Sequence, residues 1–189
     1  TTRALGLLAR EYRRRFSTIT VAVTGSTGKT ATKEFIHSGL DRKYKTNKTD
    51  GNFNNEIGLP LTLFKLNITY KAMVVEMGMS ARGEIEKLSA IAEPDIAVIT
   101  NIGSSHIENL GSREAIRDAK LEIIKGMKED GILILNGDEP LLRNINTGKI
   151  CKKYIGIENP LCHYNAVNIR KTAMGYLFDL DVRNGDYIV

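Results

Sequence analysis

Between residues 2 and 16 the apolar side chains recur at helical spacing. Leu5, Leu8, Ala9, Tyr12 and Phe16 fall on one stripe, which predicts an amphipathic helix over Thr2–Phe16. Short, continuously apolar runs follow at Ile19–Val23, Ala72–Glu76, Ile96–Thr100 and Ile132–Leu135, with a briefer one at Tyr44–Thr46. Between them the period lengthens to that of a helix near Ala31–Leu40, Ile57–Leu66, Arg82–Ala92, Arg113–Met127 and Glu139–Asn144. Strands without polar alternation are buried on both faces. Their alternation with helices predicts an α/β fold, a mostly parallel central sheet with helices on both sides. Beyond Lys149 the pattern changes. Ala166–Arg170, Tyr176–Asp181 and Tyr187–Val189 are strand-like, with turn signals at Gly175 and Asn184-Gly185, and predict an antiparallel meander at the sheet edge.

Composition narrows the class. At 189 residues the chain is about one domain, and a chain of that size buries roughly 70% of its unfolded surface without needing a disulfide or a metal. It is 42% hydrophobic and carries 27 Lys and Arg against 22 Asp and Glu, a formal charge of +5 spread along its length. This excludes wholesale disorder and an acidic tail. No apolar run approaches the roughly 18 residues that cross a bilayer, no signal peptide is legible, and Cys151 and Cys162 lack the spacing of a disulfide framework or a zinc site. The expectation is a reduced, soluble, cytoplasmic domain, monomeric, with an anionic small-molecule ligand and neither nucleic acid nor membrane insertion. The run Arg13-Arg14-Arg15 reads as a solvated helix end or a phosphate-binding patch. The chain starts Thr1-Thr2 without Met and stops within the strand-like Asp186–Val189, which reads as a fragment of a longer protein.

The strongest local signal is Thr24-Gly25-Ser26-Thr27-Gly28-Lys29-Thr30, placed between a predicted strand and a predicted helix. Backbone amides in such a turn, aided by the helix dipole, point at a phosphate chain. Lys29 offers a point charge to the outer phosphates, and the Thr30 hydroxyl suits Mg²⁺. The full phosphate-loop pattern would place Gly at position 23, where this chain has Val23, so the loop is a shortened variant.

In an open α/β sheet, ligands sit beyond the carboxyl ends of the strands. The segments there are Thr24–Thr30, Asn47–Asn55, Glu76, Thr100–His106 and Asn136–Asp138, and they hold most of the unusual polar residues. Glu76 ends a buried strand, which suits either a Mg²⁺ ligand or an acid satisfied by a lysine or by backbone amides. His106 has both a functional and a structural reading; His37 and His163 read as structural. Lys120 falls in the apolar stripe of its helix with Ile116, Ala119 and Ile123, while Asp118, Glu122 and Lys125 lie on the other face. Such a lysine either snorkels or sits in a dry site where its charge, pKa or covalent state matters. The Asn-rich stretch Thr49–Gly58 is a plain loop or a set of neutral donors and acceptors for a polar substrate.

Five spaced motifs together resemble the central, ATP-binding domain of the Mur ligase family. They are Thr24–Thr30, Gly51-Asn-Phe-Asn-Asn-Glu-Ile-Gly-Leu-Pro60, Val75-Glu-Met-Gly78, Thr100-Asn-Ile-Gly-Ser-Ser-His106 and Ala119-Lys-Leu-Glu122. The Asn-rich loop most resembles the branch that adds D-alanyl-D-alanine to UDP-N-acetylmuramoyl-tripeptide in peptidoglycan precursor synthesis. The resemblance implies a phosphate-loop NTPase-like fold over residues 17–189. Residues 1–16 would be the last helix of an N-terminal UDP-sugar domain or a linker, and that domain and a C-terminal one would lie outside the chain.

The resemblance also implies an ATP-dependent ligase that forms an acyl phosphate on the substrate carboxylate and then an amide. Thr24, Gly25, Ser26, Thr27, Gly28, Lys29, Thr30 and Asn101 would bind ATP, and Thr49, Asn52, Asn54 and Asn55 the substrate. Thr30 and Glu76 would hold one Mg²⁺, and His106 and a carbamoylated Lys120 a second. Lys29, Glu76, His106 and Lys120 would be catalytic. The fragment alone would bind ATP weakly and not ligate. Competing readings are a sister ligase that adds a single amino acid to a UDP-muramoyl or other carboxylate, a phosphate-loop kinase, and a non-enzymatic nucleotide-binding module.

Overall fold

The computed structural model describes residues 1–183. Its strands are β1 (Ile19–Thr24), β2 (Thr46–Lys48), β3 (Ala72–Glu76), β4 (Ile96–Ile99), β5 (Ile132–Asn136), β6 (Cys151–Gly156), β7 (Tyr164–Thr172) and β8 (Gly175–Val182). Its α-helices are α1 (Thr2–Arg13), α2 (Lys29–Leu40), α3 (Gly58–Leu63), α4 (Glu84–Ala92), α5 (Ile107–Leu110) and α6 (Arg113–Leu121). The strands form one sheet in the order β2-β3-β1-β4-β5-β6-β7-β8, parallel throughout except for the final β7–β8 pair.

Because successive strand residues face opposite sides, the apolar strands feed two cores. Ala22, Met73, Val75, Ala97, Ile99, Leu133 and Leu135 meet Leu59, Leu63, Ile85, Leu88, Ile116 and Ile123 from the helices on one side. Val21, Val23, Val74 and Val98 meet Ile36 and Leu40 of α2 on the other. The expected parallel sheet with helices on both faces is therefore present. The strand order carries the ends of β1, β3 and β4 to one rim, side by side.

Several boundaries differ from the sequence reading, each for a local reason. In α1, Leu8 is 62% exposed while Arg13 is buried. The helix is rotated so that Ala9 and Arg13 face inward, and the Arg13 guanidinium donates to Thr20 Oγ1 (3.0 Å) and the Glu93 carbonyl (3.2 Å). Burial lowers its pKa, opposed by Glu93 and Asp95. Arg13 is thus neither a solvated end nor an anion patch; it fastens α1 to the sheet.

The helix expected over Ile57–Leu66 is only Gly58–Leu63. The Asn55 carboxamide oxygen takes the amides of Ile57 and Gly58, and the chain tightens again through Lys65 N to Thr62 O and Leu66 N to Leu63 O. Similarly, Arg113–Met127 is not one helix. It becomes 3₁₀ at Glu122–Gly126, where Ser89 Oγ donates to the Ile123 carbonyl (2.5 Å) and Gly126 packs so closely that a Cβ would lie 2.2 Å from the Ser89 carbonyl carbon. Glu139–Asn144 shrinks to a 3₁₀ turn at Pro140–Leu142, α2 and α4 start at Lys29 and Glu84, and the strand expected at Tyr44–Thr46 lies at Thr46–Lys48.

The helix α5 and the strand β6 had no sequence signal; Lys152 and Lys153 interrupt the apolar pattern of β6. The expected meander is a β7–β8 hairpin joined in parallel to β6. Tyr187–Val189 and Asn184-Gly185 lie outside the described residues.

The β6–β7 junction carries a pH signature. Tyr154 N donates to His163 Nδ1 (3.1 Å), and His163 N returns a bond to the Tyr154 carbonyl (2.9 Å). Burial, with Lys153 and Arg183 nearby, lowers the His163 pKa. A base whose folded pKa lies below its unfolded value of about 6.5 stabilises the fold above that value, and the contribution is lost as the pH falls below it. Denaturant titrations are expected to show wild type and His163→Gln converging between pH 7 and pH 5, whereas a constant gap would refute the assignment.

Candidate functional site

The phosphate loop leaves β1 at Thr24, whose hydroxyl donates to the Met77 carbonyl (2.9 Å) while Met77 N donates to the Val23 carbonyl (2.9 Å). These bonds set the ends of β1 and β3 together. Gly25 has φ +152°, and a Cβ there would sit 1.9 Å from Thr100 Oγ1, so only glycine lets the loop pass. Gly28, at φ +77°, is the N-cap of α2. The first bond inside that helix runs from Thr32 N to the Gly28 carbonyl, which leaves the amides of Gly28 to Ala31 without intrahelical acceptors, at the positive end of the dipole. Lys29 Nζ turns back over the loop to the carbonyls of Gly25 (3.0 Å) and Ser26 (3.4 Å). Amides without intrahelical acceptors, a helix dipole and an ammonium converge here.

Glu76 ends β3 and is 3% exposed. Its Oε2 accepts from Thr30 Oγ1 (2.8 Å) and its Oε1 from Asn54 Nδ2 (2.9 Å). Both partners are neutral, and among the described residues no lysine or arginine pairs with it. A buried carboxylate that keeps its full negative charge is costly unless a cation joins it. Among the described residues no cluster of three His, Cys, Asp or Glu exists. One carboxylate beside a hydroxyl nevertheless suits Mg²⁺, which binds through one or two protein oxygens, phosphate oxygens and water.

The Asn-rich loop divides its work. Asn54 reaches Glu76 and also accepts Gly78 N at its carbonyl (2.8 Å). Asn55 starts α3, as described, and Asn52 is exposed. Thr49 is fully buried, its hydroxyl accepting Glu76 N (3.0 Å), so it lies beneath the site. Its carbonyl accepts from Lys33 Nζ (2.7 Å), an α2 lysine only 1% exposed and 3.1 Å from a Glu34 carboxylate oxygen.

A cleft of about 490 Å³ opens over these groups, and Lys29, Asn54, Asn55, Gly78 and His106 are on its wall. His106 is half-buried, in left-handed backbone (φ 65°) at the start of α5. Lys120 of α6 is not on the wall; it is 2% exposed, and among the described residues no acid pairs with it. Burial, with the charge of Lys29 added, pushes its pKa down to about 8.

The sequence reading missed two acids. Glu84 sits on the cleft wall and accepts Ser80 N (2.6 Å), a bond that its place at the start of α4 could have suggested. Glu122, read on the helix face opposite Lys120, accepts Gly83 N (2.8 Å) and so joins the Lys120 segment to the loop that follows β3.

Residues 23–189 match the Mur ligase middle domain. The chain belongs to the Mur ligase family. A relative from Bacillus subtilis (strain 168), a UDP-N-acetylmuramoyl-tripeptide--D-alanyl-D-alanine ligase, is 58% identical over 141 residues, 75% of this chain and 31% of the relative. A crystal structure of MurF from Acinetobacter baumannii superposes with a TM-score of 0.91 at 31% identity, covering 98% of this chain and 41% of that one. MurF ligase from Thermotoga maritima, solved in complex with ADP, gives 0.88 at 36% identity, covering 96% and 42%.

The chain thus spans less than half the length of these relatives. In this Mur ligase domain α1 precedes the matched region and packs on α3 and α4, with Tyr12 donating to the Leu66 carbonyl (2.8 Å). Among the described residues no helix is long and apolar enough to cross a membrane.

Proposed function

We propose that this chain is the ATP-binding middle domain of a cytoplasmic ligase that joins D-alanyl-D-alanine to UDP-N-acetylmuramoyl-tripeptide. The observation that carries the reading is the Gly25–Thr30 loop, whose Thr30 hydroxyl meets the buried Glu76 carboxylate, an acid with which no lysine or arginine pairs among the described residues. The 58% identity to a ligase of that name supports the substrate assignment.

In this reading the Gly28–Ala31 amides and Lys29 hold the outer phosphates and orient the γ-phosphorus toward the cleft. The tripeptide carboxylate attacks that phosphorus, the bond to the ADP oxygen breaks, and an acyl phosphate forms. The dipeptide amine then attacks the acyl carbon, loses a proton, and inorganic phosphate leaves. Asn54, Asn55 and His106 line the cleft where the carboxylate would lie. Mg²⁺, when bound, supplies charge neutralisation between the phosphate oxygens; Thr30 and Glu76 would hold one ion, and His106 with Lys120 a second.

An ammonium at position 120 would repel a cation, but a carbamate would attract it. The neutral Lys120 amine adds to CO₂, an N–C bond forms and a proton leaves, giving an anionic oxygen donor. The lowered pKa favours the neutral amine that this addition needs.

The deciding experiment follows phosphate release from ATP by a complete ligase that carries this chain as its middle domain. With UDP-N-acetylmuramoyl-tripeptide present, release is expected to require D-alanyl-D-alanine. Release with a single amino acid would move the protein to a sister branch, and no release with any acceptor would favour a kinase or a nucleotide-binding module. In the same enzyme Gly25→Ala is expected to weaken ATP binding by about tenfold or more, because the methyl group meets Thr100. Isothermal titration with ATP checks this, and unchanged affinity would count against the loop as the phosphate site.

A further inference from the structure

The phosphate loop is held from outside chiefly by the Asn101 side chain. Asn101 lies just beyond β4, and its Oδ1 accepts the amides of both Ser26 (3.1 Å) and Thr27 (3.0 Å), while its Nδ2 donates to Thr27 Oγ1 (2.6 Å). Its carbonyl also accepts Ser26 N (3.2 Å). The neighbours complete a clasp: Thr100 Oγ1 donates to the Thr27 carbonyl (2.6 Å), and Gly103 N donates to Ser26 Oγ (2.8 Å). A planar carboxamide offers an oxygen with two acceptor sites and an adjacent donor, which matches two amides and one hydroxyl here.

The consequence is a division of the loop. The Ser26 and Thr27 amides point to the β4 rim, and the amides left for an anion are those from Gly28 onward. The resemblance to the family counts Asn101 among the ATP contacts, but its oxygen is fully engaged by the protein itself. The clasped segment Thr100–Gly103 also leads directly to His106 on the cleft wall.

We propose that Asn101 is a positioning residue. It fixes the first half of the phosphate loop to the end of β4, so that the Gly28–Ala31 cradle and the His106 segment keep one relative geometry. The functional part of this inference rests on the nucleotide reading given above; the clasp itself does not.

The test uses the complete ligase and two variants. Asn101→Ala is expected to raise the KM for ATP about tenfold or more, leave the KM values for the carboxylate and amine substrates within about twofold, and abolish hydrogen-exchange protection of the Thr27 amide without nucleotide, while Ser26 N keeps the main-chain carbonyl of residue 101. Asn101→Asp keeps both acceptor bonds, and the Thr27 hydroxyl can turn to donate. It is expected to restore that protection while the KM for ATP stays high, because it adds a negative charge behind the phosphate loop. An unchanged KM for ATP in Asn101→Ala, or protection missing from Asn101→Asp, overturns the proposal. If the wild-type ligase binds no ATP, the nucleotide reading falls, and the exchange measurements alone decide whether the clasp exists.

Discussion

Lys120→Ala, in a complete ligase carrying this domain, is expected to lower the ligation rate by about 10³-fold or more, on the scale of losing a preorganised charge at a reacting phosphate. Millimolar short-chain carboxylic acids should restore part of the rate by placing an anionic oxygen in the space that the side chain leaves. Full activity in the alanine variant would eliminate the carbamate.

The same position should show the opposite sign in stability. Lys120 is 2% exposed, with no acidic partner among the described residues, and its pKa of about 8 means that the fold resists its charge. The charged form is favoured in the unfolded chain, so this unmodified lysine destabilises the fold fully below about pH 8. The penalty fades as the pH rises toward the unfolded value of about 10.4. Lys120→Met, which keeps the volume and removes the charge, should therefore be more stable by roughly 2–3 kcal/mol at pH 7 and about equal near pH 10. Urea titrations on CO₂-free protein at the two pH values check this. A destabilised methionine variant at pH 7 would show that the ammonium is better solvated than its burial implies.

Glu76→Gln should produce the second large effect. The substitution keeps the shape and leaves an amide oxygen for the Thr30 hydroxyl, so the fold and the β3 register should persist. It removes the negative charge that is buried beside the phosphate loop. Activity is expected to fall by about 10²–10³-fold, and half-maximal activity should require much more Mg²⁺. Titration of phosphate release against Mg²⁺ measures this. An unaltered Mg²⁺ dependence would mean that Glu76 serves only to tie Thr30 and Asn54 together.

Legibility in the sequence depended on whether a residue's role was local. The phosphate loop could be read because glycine conformation, helix start and lysine lie within one short segment. The inward position of Lys120 followed from helical spacing, but the choice between a snorkelling lysine and a dry site needed the fold, which leaves the side chain 2% exposed. Glu76 was suspicious because it ended an apolar strand, although its neutral partners Thr30 and Asn54 come from other elements and only the fold reveals them. The strand β6 escaped because Lys152 and Lys153 mask its pattern, and it is recruited by parallel pairing with β5. Arg13 misled for a related reason: a cationic run at a helix end reads as solvated until Thr20, Glu93 and Asp95 are brought to it. Thr49 looked like a substrate contact by its company in the loop, but a buried backbone amide claims its hydroxyl.

The buried contact between Lys33 and the Thr49 carbonyl makes α2 a lever with two loads. In the proposed reading one end of this helix receives the phosphates, and one turn further along it grips the base of the Asn-rich loop. A charged hydrogen bond of this kind is worth about 1.5–3 kcal/mol, so α2 cannot slide on its axis and leave that loop behind without breaking it. Displacement of the helix by a nucleotide would be transmitted to the base of the Asn-rich loop as a pull.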